Sequence, residues 1–161
     1  MGELIFKAPS IMKEYYKNPD ATAKTIRNGW LYTGDLAVRD EEGYILLVDR
    51  NKDMIISGGE NVYSIEIENV VGSHPGVSDV AIIGTPDPKW GELVTAVVVK
   101  KAGHELSEDE LINFTKQNLA GFKCPKKIIF EDSLPRNASG KLMKFELRQK
   151  YSDYLRTVNK Q

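Results

Sequence analysis

The sequence predicts an α+β fold, with helices packed against a small mixed sheet. Three observations carry that expectation. Val77 to Ile83 and Leu93 to Val99 are β-branched-rich runs that read as buried strands. Ser64 and Ser107 each stand where they can cap a helix. The order read from residue 54 onward is β, α, β, β, α, β, α, which suits helices laid on one mixed sheet.

Taken in order, Glu3 to Lys7 reads as a strand with nothing before it to pair with, as if cut from something longer. Ser10 to Tyr16 is a short polar-apolar mixture, and Asn18-Pro19-Asp20 signals a turn ahead of a helical turn at Ala21 to Ile26. Asn28 to Asp35 reads as a turn, a short aromatic strand and a second turn. Leu36 to Arg39 and Tyr44 to Val48 flank Asp40-Glu41-Glu42-Gly43, the pattern of a hairpin with a glycine-containing loop. Asp49 to Asp53 sets five polar residues between apolar stretches, and the domain boundary is placed there, dividing 1–50 from 51–161.

Beyond that boundary, Met54-Ile55-Ile56 and Asn61-Val62-Tyr63 form short strands around Ser57-Gly58-Gly59-Glu60. The helix capped by Ser64 carries Ile67, Val70 and Val71 on one face and ends before His74-Pro75-Gly76. Gly84 to Pro88 reads as a loop between the two long strands. Ser107 and Glu110 form a capping box opening a helix to about Leu119. Lys127 to Phe130 is a third strand, and Lys144 to Tyr154 a closing helix.

The bulk properties exclude several classes. With 161 residues, the chain can form one ordinary domain, or a small one with part of a neighbour attached. Twenty-two basic against 23 acidic residues give a formal charge of −1, which argues against a general electrostatic grip on nucleic acid or anionic membrane. No apolar run approaches the roughly 20 residues of a membrane span, and Met1-Gly2-Glu3-Leu4 lacks the basic flank of a secretory signal. Cys124 is the only cysteine, so no internal disulfide or thiolate cluster can form, and a reducing cytoplasm is the expected setting. His74 and His104 lie far apart without partners at metal-ligand spacing, so no metal site is expected. Lys123, Lys126 and Lys127 read most simply as a solvated edge.

Three segments are rich in glycine and charge. In Tyr32-Thr33-Gly34-Asp35, a carboxylate on a tight turn can accept hydrogen bonds from a ribose diol. From four residues alone, an aspartate fixing its own turn is the simpler reading. In Asp49 to Asn61, Arg50 beside a carboxylate can clamp a ribose or phosphate, and Gly58-Gly59 lets a ligand approach the backbone. A solvated linker followed by a tight hairpin turn fits those residues equally well. In Leu134 to Leu142, Lys141 is a point charge on a small-residue loop, suited to a phosphate or carboxylate oxygen. A Walker A reading fails, because Pro135 stands where that pattern needs glycine and Leu142 where it needs serine or threonine. Taken singly, this segment is an ordinary surface loop.

In this order and spacing, the three segments together resemble the adenylate-forming superfamily of acyl- and aryl-CoA synthetases, nonribosomal adenylation domains and beetle luciferases. The Gly-Gly-Glu-Asn-Val-Tyr form of the middle one is most similar to the CoA ligases. The resemblance implies a small C-terminal domain with a three-stranded mixed sheet, helices and a two-stranded hairpin. A remnant of the large domain's β-barrel subdomain would precede it. It implies two half-reactions: a fatty or aryl carboxylate attacks ATP, with Mg2+, to give acyl-AMP, and CoA then displaces AMP. Asp35 and Arg50 would hold the nucleotide, Lys52 would be the hinge, where some relatives carry aspartate, and Lys141 would be catalytic in adenylation. Ser57, Gly58, Gly59, Glu60 and Asn61 would face CoA. The resemblance also implies partnership with a missing N-terminal domain holding the ATP loop and acid pocket, so the chain alone is expected to be inactive. Two other readings are loading of a carrier protein, and a non-catalytic module binding CoA or a partner.

Overall fold

The computed structural model describes residues 1–158. They divide into two compact units, Met1–Lys52 and Asp53–Gln161. The division falls two residues beyond the expected 50/51 boundary, and Asn51, past the end of the last strand, still donates its N–H to Gly34 O of the first unit.

The first unit is an antiparallel sheet of β1 (Gly2–Phe6), β2 (Ile26–Arg27), β3 (Trp30–Arg39) and β4 (Ile45–Arg50), with α1 (Pro19–Thr25) leading into β2. Strand β3 pairs with all three others. Helix α1 starts two residues before the expected position because the Asn18 carboxamide accepts from Ala21 N at 3.0 Å and Pro19 suits the first helical turn. The expected second turn at Gly34-Asp35 is absent. Strand β3 runs straight through it, and Gly34, at φ +75°, lies where the β1–β3 register slips. The glycine therefore makes a bulge within a strand rather than ending one. Among the described residues, Ala37 is the one buried hydrophobic side chain of this unit, while Tyr44, Ile45, Leu46 and Leu47 are exposed.

The second unit has its own core. Its elements are β5 (Ile55–Ser57), β6 (Glu60–Val62), α2 (Ser64–Gly72), β7 (Val77–Asp87), β8 (Gly91–Lys100), α3 (Glu108–Asn118), β9 (Lys127–Glu131) and α4 (Lys144–Val158). Antiparallel β7 and β8 and parallel β9 make the expected mixed sheet. The β5–β6 hairpin joins it at one pair, Ser57 opposite Gly91. Gly84 to Asp87 belongs to β7, not to the loop expected there. Gly84 pairs with Val94, and a Cβ on it would meet the Glu92 carboxylate at 2.6 Å. Pro86 is tolerated because β7 is an edge strand with no ladder on its far side. Ser107 caps α3 as expected, accepting from Glu110 N at 3.2 Å. Ser64 is not the cap of α2. Tyr63 holds that place, and Ser64 is the first helical residue, buried, its hydroxyl accepting from Lys144 Nζ at 2.7 Å.

Alternation along the strands fills two cores. Ile82, Val94, Ala96, Val98 and Ile128 face Ile67, Val71 and Leu111 of α2 and α3. Ala81, Ile83 and Val97 face Leu147 and Tyr151 of α4. Burial on both faces explains the continuous apolar runs in the sequence. Ion pairs fix α4 further: Lys144 with Glu68 at 2.7 Å and Arg148 with Asp53 at 2.5 Å.

Glu131 at the end of β9 accepts from both Lys150 and Tyr151 of α4. The bond from Lys150, then that from Tyr151, holds its carboxyl below the ordinary value of 4.5. A carboxyl with a lowered folded pKa stabilises the fold when ionised, fully above its unfolded value, and that stabilisation is lost as pH falls through the folded value. Wild type should therefore exceed Glu131→Gln in stability at neutral pH, with the difference closing below 4.5 in urea titrations at stepped pH. A difference independent of pH would remove the ionised carboxylate from the account.

Candidate functional site

In the first unit, the bulge sets the candidate nucleotide residues. Thr33 donates its hydroxyl to Leu4 O at 2.7 Å, and Gly34 N donates to Glu3 Oε1 at 2.9 Å. Asn51 N donates to Gly34 O at 2.8 Å, tying the residue after β4 to the bulge. Asp35 and Arg50 are cross-strand partners whose side chains approach to 3.5 Å, Nε to Oδ1, both partly exposed. Sequence reasoning named both residues, though on a turn and a linker, whereas both stand on strands. An open pocket of about 470 Å3 lies beside them, lined by Tyr32, Gly34, Arg50 and Lys52 with Lys24 and Arg27. The Arg27 guanidinium stacks on Tyr32, 4.5 Å from the ring centre.

In the second unit, Gly58 and Gly59 turn the β5–β6 hairpin with φ of +61° and +86°. Two central residues with positive φ are what a tight two-residue hairpin demands, and glycine adopts them without strain. Gly58 N donates to Trp90 O at 2.8 Å, and the Trp90 ring lies so close that a Cβ on Gly58 would meet it at 2.8 Å. Glu92 Oε2 accepts from Ile56 N at 2.7 Å. Trp90 and Glu92 thus shape the glycine loop, a role that sequence reasoning missed. The signal was Trp90-Gly91-Glu92, a large ring and a carboxylate around a glycine directly after a Pro-rich turn. Gly58, Gly59, Glu60 and Asn61 are exposed, and Ser57 is half-buried.

Lys141 also sits on a built loop. Asn137 Oδ1 accepts from Ser139 N at 3.1 Å, Ser139 Oγ at 2.8 Å and Lys141 N at 2.8 Å. Asn137 N donates to Lys141 O, Gly140 N donates to Asn137 O, and Arg136 bridges to Leu142. Arg136 donates to Gly140 O at 2.8 Å and to Asp79 Oδ2 at 2.6 Å. The Lys141 side chain is exposed, and no carboxylate among the described residues pairs with it.

The two loops lie at opposite ends of one ribbon. The hairpin joins β8 at Gly91, opposite Asp87, whereas Asp79, which holds the Lys141 loop, pairs with Val99 at the other end. Asp79 and Asp87 are eight residue steps apart along β7, about 26 Å at the usual rise. The lesser candidates are accounted for locally. Lys123 pairs with Glu66 at 2.7 Å, and Lys126 donates to Gly121 O. Buried Cys124 donates to Ala120 O at 3.5 Å, and His74 packs edge-on against Phe114. No helix among the described residues is long and apolar enough to cross a membrane.

Residues 66–141 match the family described as AMP-binding enzyme C-terminal domain. That segment is similar to this domain family. Over 151 residues it is 50% identical to a long-chain-fatty-acid–CoA ligase of Mycobacterium tuberculosis, covering 94% of this chain and 30% of the relative. Feruloyl-CoA synthase of an Amycolatopsis species is 48% identical over 93% of the chain, and 2-succinylbenzoate–CoA ligase of Bacillus cereus 49% over 92%. Each is covered over 30% of its own length. Among solved structures, ATP-bound MatB from Rhodopseudomonas palustris aligns with a TM-score of 0.84 at 44% identity, covering 92% of this chain and 30% of that one. The o-succinylbenzoate CoA synthetase of Bacillus subtilis, solved with its acyl-adenylate intermediate, gives 0.85 at 43%, over 91% and 30%. The chain thus spans about 30% of the length of the curated relatives it matches.

The hairpin geometry yields a test of the Gly58-Gly59 turn. In a Trp30→Phe background, so that Trp90 alone reports, Gly58→Ala should shift the tryptophan emission and lower stability by roughly 1–2 kcal/mol, the cost of a left-handed non-glycine residue. Gly59→Ala, with nothing within 4 Å of the added Cβ, should leave the emission unchanged. Equal emission shifts from both would mean that Trp90 does not rest on Gly58.

Proposed function

We propose that this chain supplies the C-terminal domain, and the end of the preceding domain, of an ATP-dependent carboxylic acid:CoA ligase. The observation that carries the reading is Lys141: an exposed cation, without a carboxylate partner among the described residues, on a loop braced by Asn137 and Arg136, in a chain similar to relatives that are by name CoA ligases. In the first half-reaction, a carboxylate oxygen attacks the α-phosphorus of ATP, supplied as its magnesium complex, and pyrophosphate leaves. Negative charge on the non-bridging phosphate oxygens rises, and a cation held ready for it lowers the barrier. Lys141 is assigned that role. Asp35 accepts from the ribose hydroxyls, and Arg50 holds the ribose or phosphate. In the second half-reaction, the thiol sulfur of CoA attacks the acyl carbonyl and AMP leaves. The Ser57 to Asn61 turn is assigned to the thiol, with Gly58 and Gly59 giving its arm passage along backbone.

The separation of these loops by about 26 Å of strand supports their use in different half-reactions, since one small reacting centre cannot meet both at once. Lys52, the last residue of the first unit, is accordingly assigned as the hinge about which the second turns. The acid is set elsewhere. Identity is nearly equal, 50%, 48% and 49%, to a long-chain-fatty-acid–CoA ligase, a feruloyl-CoA synthase and a 2-succinylbenzoate–CoA ligase. A stretch that discriminated among those acids would not be shared so evenly.

The test uses the longer polypeptide that carries this chain, with ATP, magnesium, CoA and a panel of fatty and aryl acids, read by mass spectrometry. Lys141→Ala should lower acyl-AMP formation about 100- to 1000-fold, while thioester formation from supplied acyl-AMP persists. The 161-residue chain by itself should activate no acid. Acyl-AMP without CoA thioester would move the acceptor to a carrier protein. No product from any acid would favour a non-catalytic binding module.

A further inference from the structure

We infer that Asp79 and Arg136 form a positioning clamp for Lys141. Asp79 lies 57 residues before Arg136, at the start of β7, where the register slips between Val77 and Asp79. Its Oδ1 accepts from its neighbour Val80 N at 3.0 Å, so the carboxylate is oriented by its own strand before it meets any partner. Its Oδ2 then takes Arg136 NH2 at 2.6 Å. The same guanidinium donates through NH1 to Gly140 O at 2.8 Å. Gly140 immediately precedes Lys141, and its carbonyl belongs to the peptide unit that carries Lys141 N. That N–H is itself held by Asn137 Oδ1 at 2.8 Å. One planar, rigid fork thus ties the Lys141 peptide to a strand of the core. Lysine would not serve equally, because its ammonium is not a flat fork that holds two acceptors in fixed directions.

The exposure of the pair speaks against a mainly energetic role. Its side chains are 43% and 35% exposed, and such pairs contribute little to stability. Geometry is the stronger account. A long lysine has to deliver its ammonium to a small target, and a backbone anchor displaced by about 1 Å can cost on the order of 100-fold in rate.

The inference rests on the adenylation reading of Lys141, and its test separates the two. In the longer polypeptide, Asp79→Ala and Arg136→Ala should each lower acyl-AMP formation about 10- to 100-fold with the KM for ATP nearly unchanged. Thioester formation from supplied acyl-AMP should be unaffected, and Asp79→Glu should recover part of the loss. The exchanged pair Asp79→Arg with Arg136→Asp should fail to recover it, because aspartate cannot donate to Gly140 O. Recovery by the exchanged pair, or an equal fall in both half-reactions, would reduce the clamp to an ordinary ion pair and overturn the inference. Amide exchange at Gly140 and Lys141 gives an arm that does not need activity: Asp79→Ala should speed it, and unchanged protection would also overturn the inference. Should the unaltered polypeptide form no acyl-AMP, the adenylation reading fails by itself, and the exchange arm still decides the clamp.

Discussion

Strands β7 and β8 are buried on both faces, and that double burial decides where everything else in residues 53–158 can go. Helices α2 and α3 cover one face through Ile67, Val71 and Leu111, and α4 covers the other through Leu147 and Tyr151. With both faces closed, only the ends of the ribbon remain for loops that meet a ligand. Each end carries one: the Gly58-Gly59 turn beside Gly91, and the Lys141 loop beside Asp79. A flat, one-sided sheet would have offered a surface instead of two termini. The opposition of the two loops is therefore a consequence of the packing and not a separate device.

The first unit is organised by a different rule. It has Ala37 and no other buried hydrophobic side chain among its described residues, and its order comes from backbone pairing and from polar ties across the bulge. Glu3 to Gly34, Thr33 to Leu4 and Asn51 to Gly34 are all hydrogen bonds to or from the main chain. Such ties fix Asp35 opposite Arg50 without any side-chain core beneath them. Exposed Tyr44, Ile45, Leu46 and Leu47 form a run along one hairpin, an apolar surface of the kind that proteins bury against a neighbour.

What the sequence made legible, and what it did not, follows from the range of the forces involved. The β-branched-rich run of Val77 to Ile83, the Ser107 cap and the paired glycines of the hairpin are local signals, and each appears where the residues put it. From sequence Gly34 reads as a turn, because a glycine with positive φ does the same thing locally in a turn and in a bulge. Only Glu3 and the β1 pairing, about thirty residues away in sequence, distinguish the two. Gly84 misled in the same way, since its missing side chain makes room for Glu92 and does not bend the chain. From sequence the Lys141 segment reads as an ordinary surface loop, with Ala138-Ser139-Gly140 a run of small residues. Its stiffness comes from the Asn137 carboxamide and from Asp79, 57 positions from Arg136.

The same contrast separates Lys141 from the paired cations of its unit. By sequence it is one of many lysines, several of them in denser basic runs. Several cations of residues 53–158 are paired with carboxylates: Lys123 with Glu66, Lys144 with Glu68, Arg148 with Asp53, Lys150 with Glu131 and Arg136 with Asp79. Lys141 keeps no carboxylate among the described residues, while its main-chain N–H and C=O are both bound to Asn137. A charge without a counter-ion on an anchored backbone has lost much of its positional freedom and none of its electrostatic reach. That combination is what stabilising a developing phosphate charge requires, because the anchor is in place before the reaction begins.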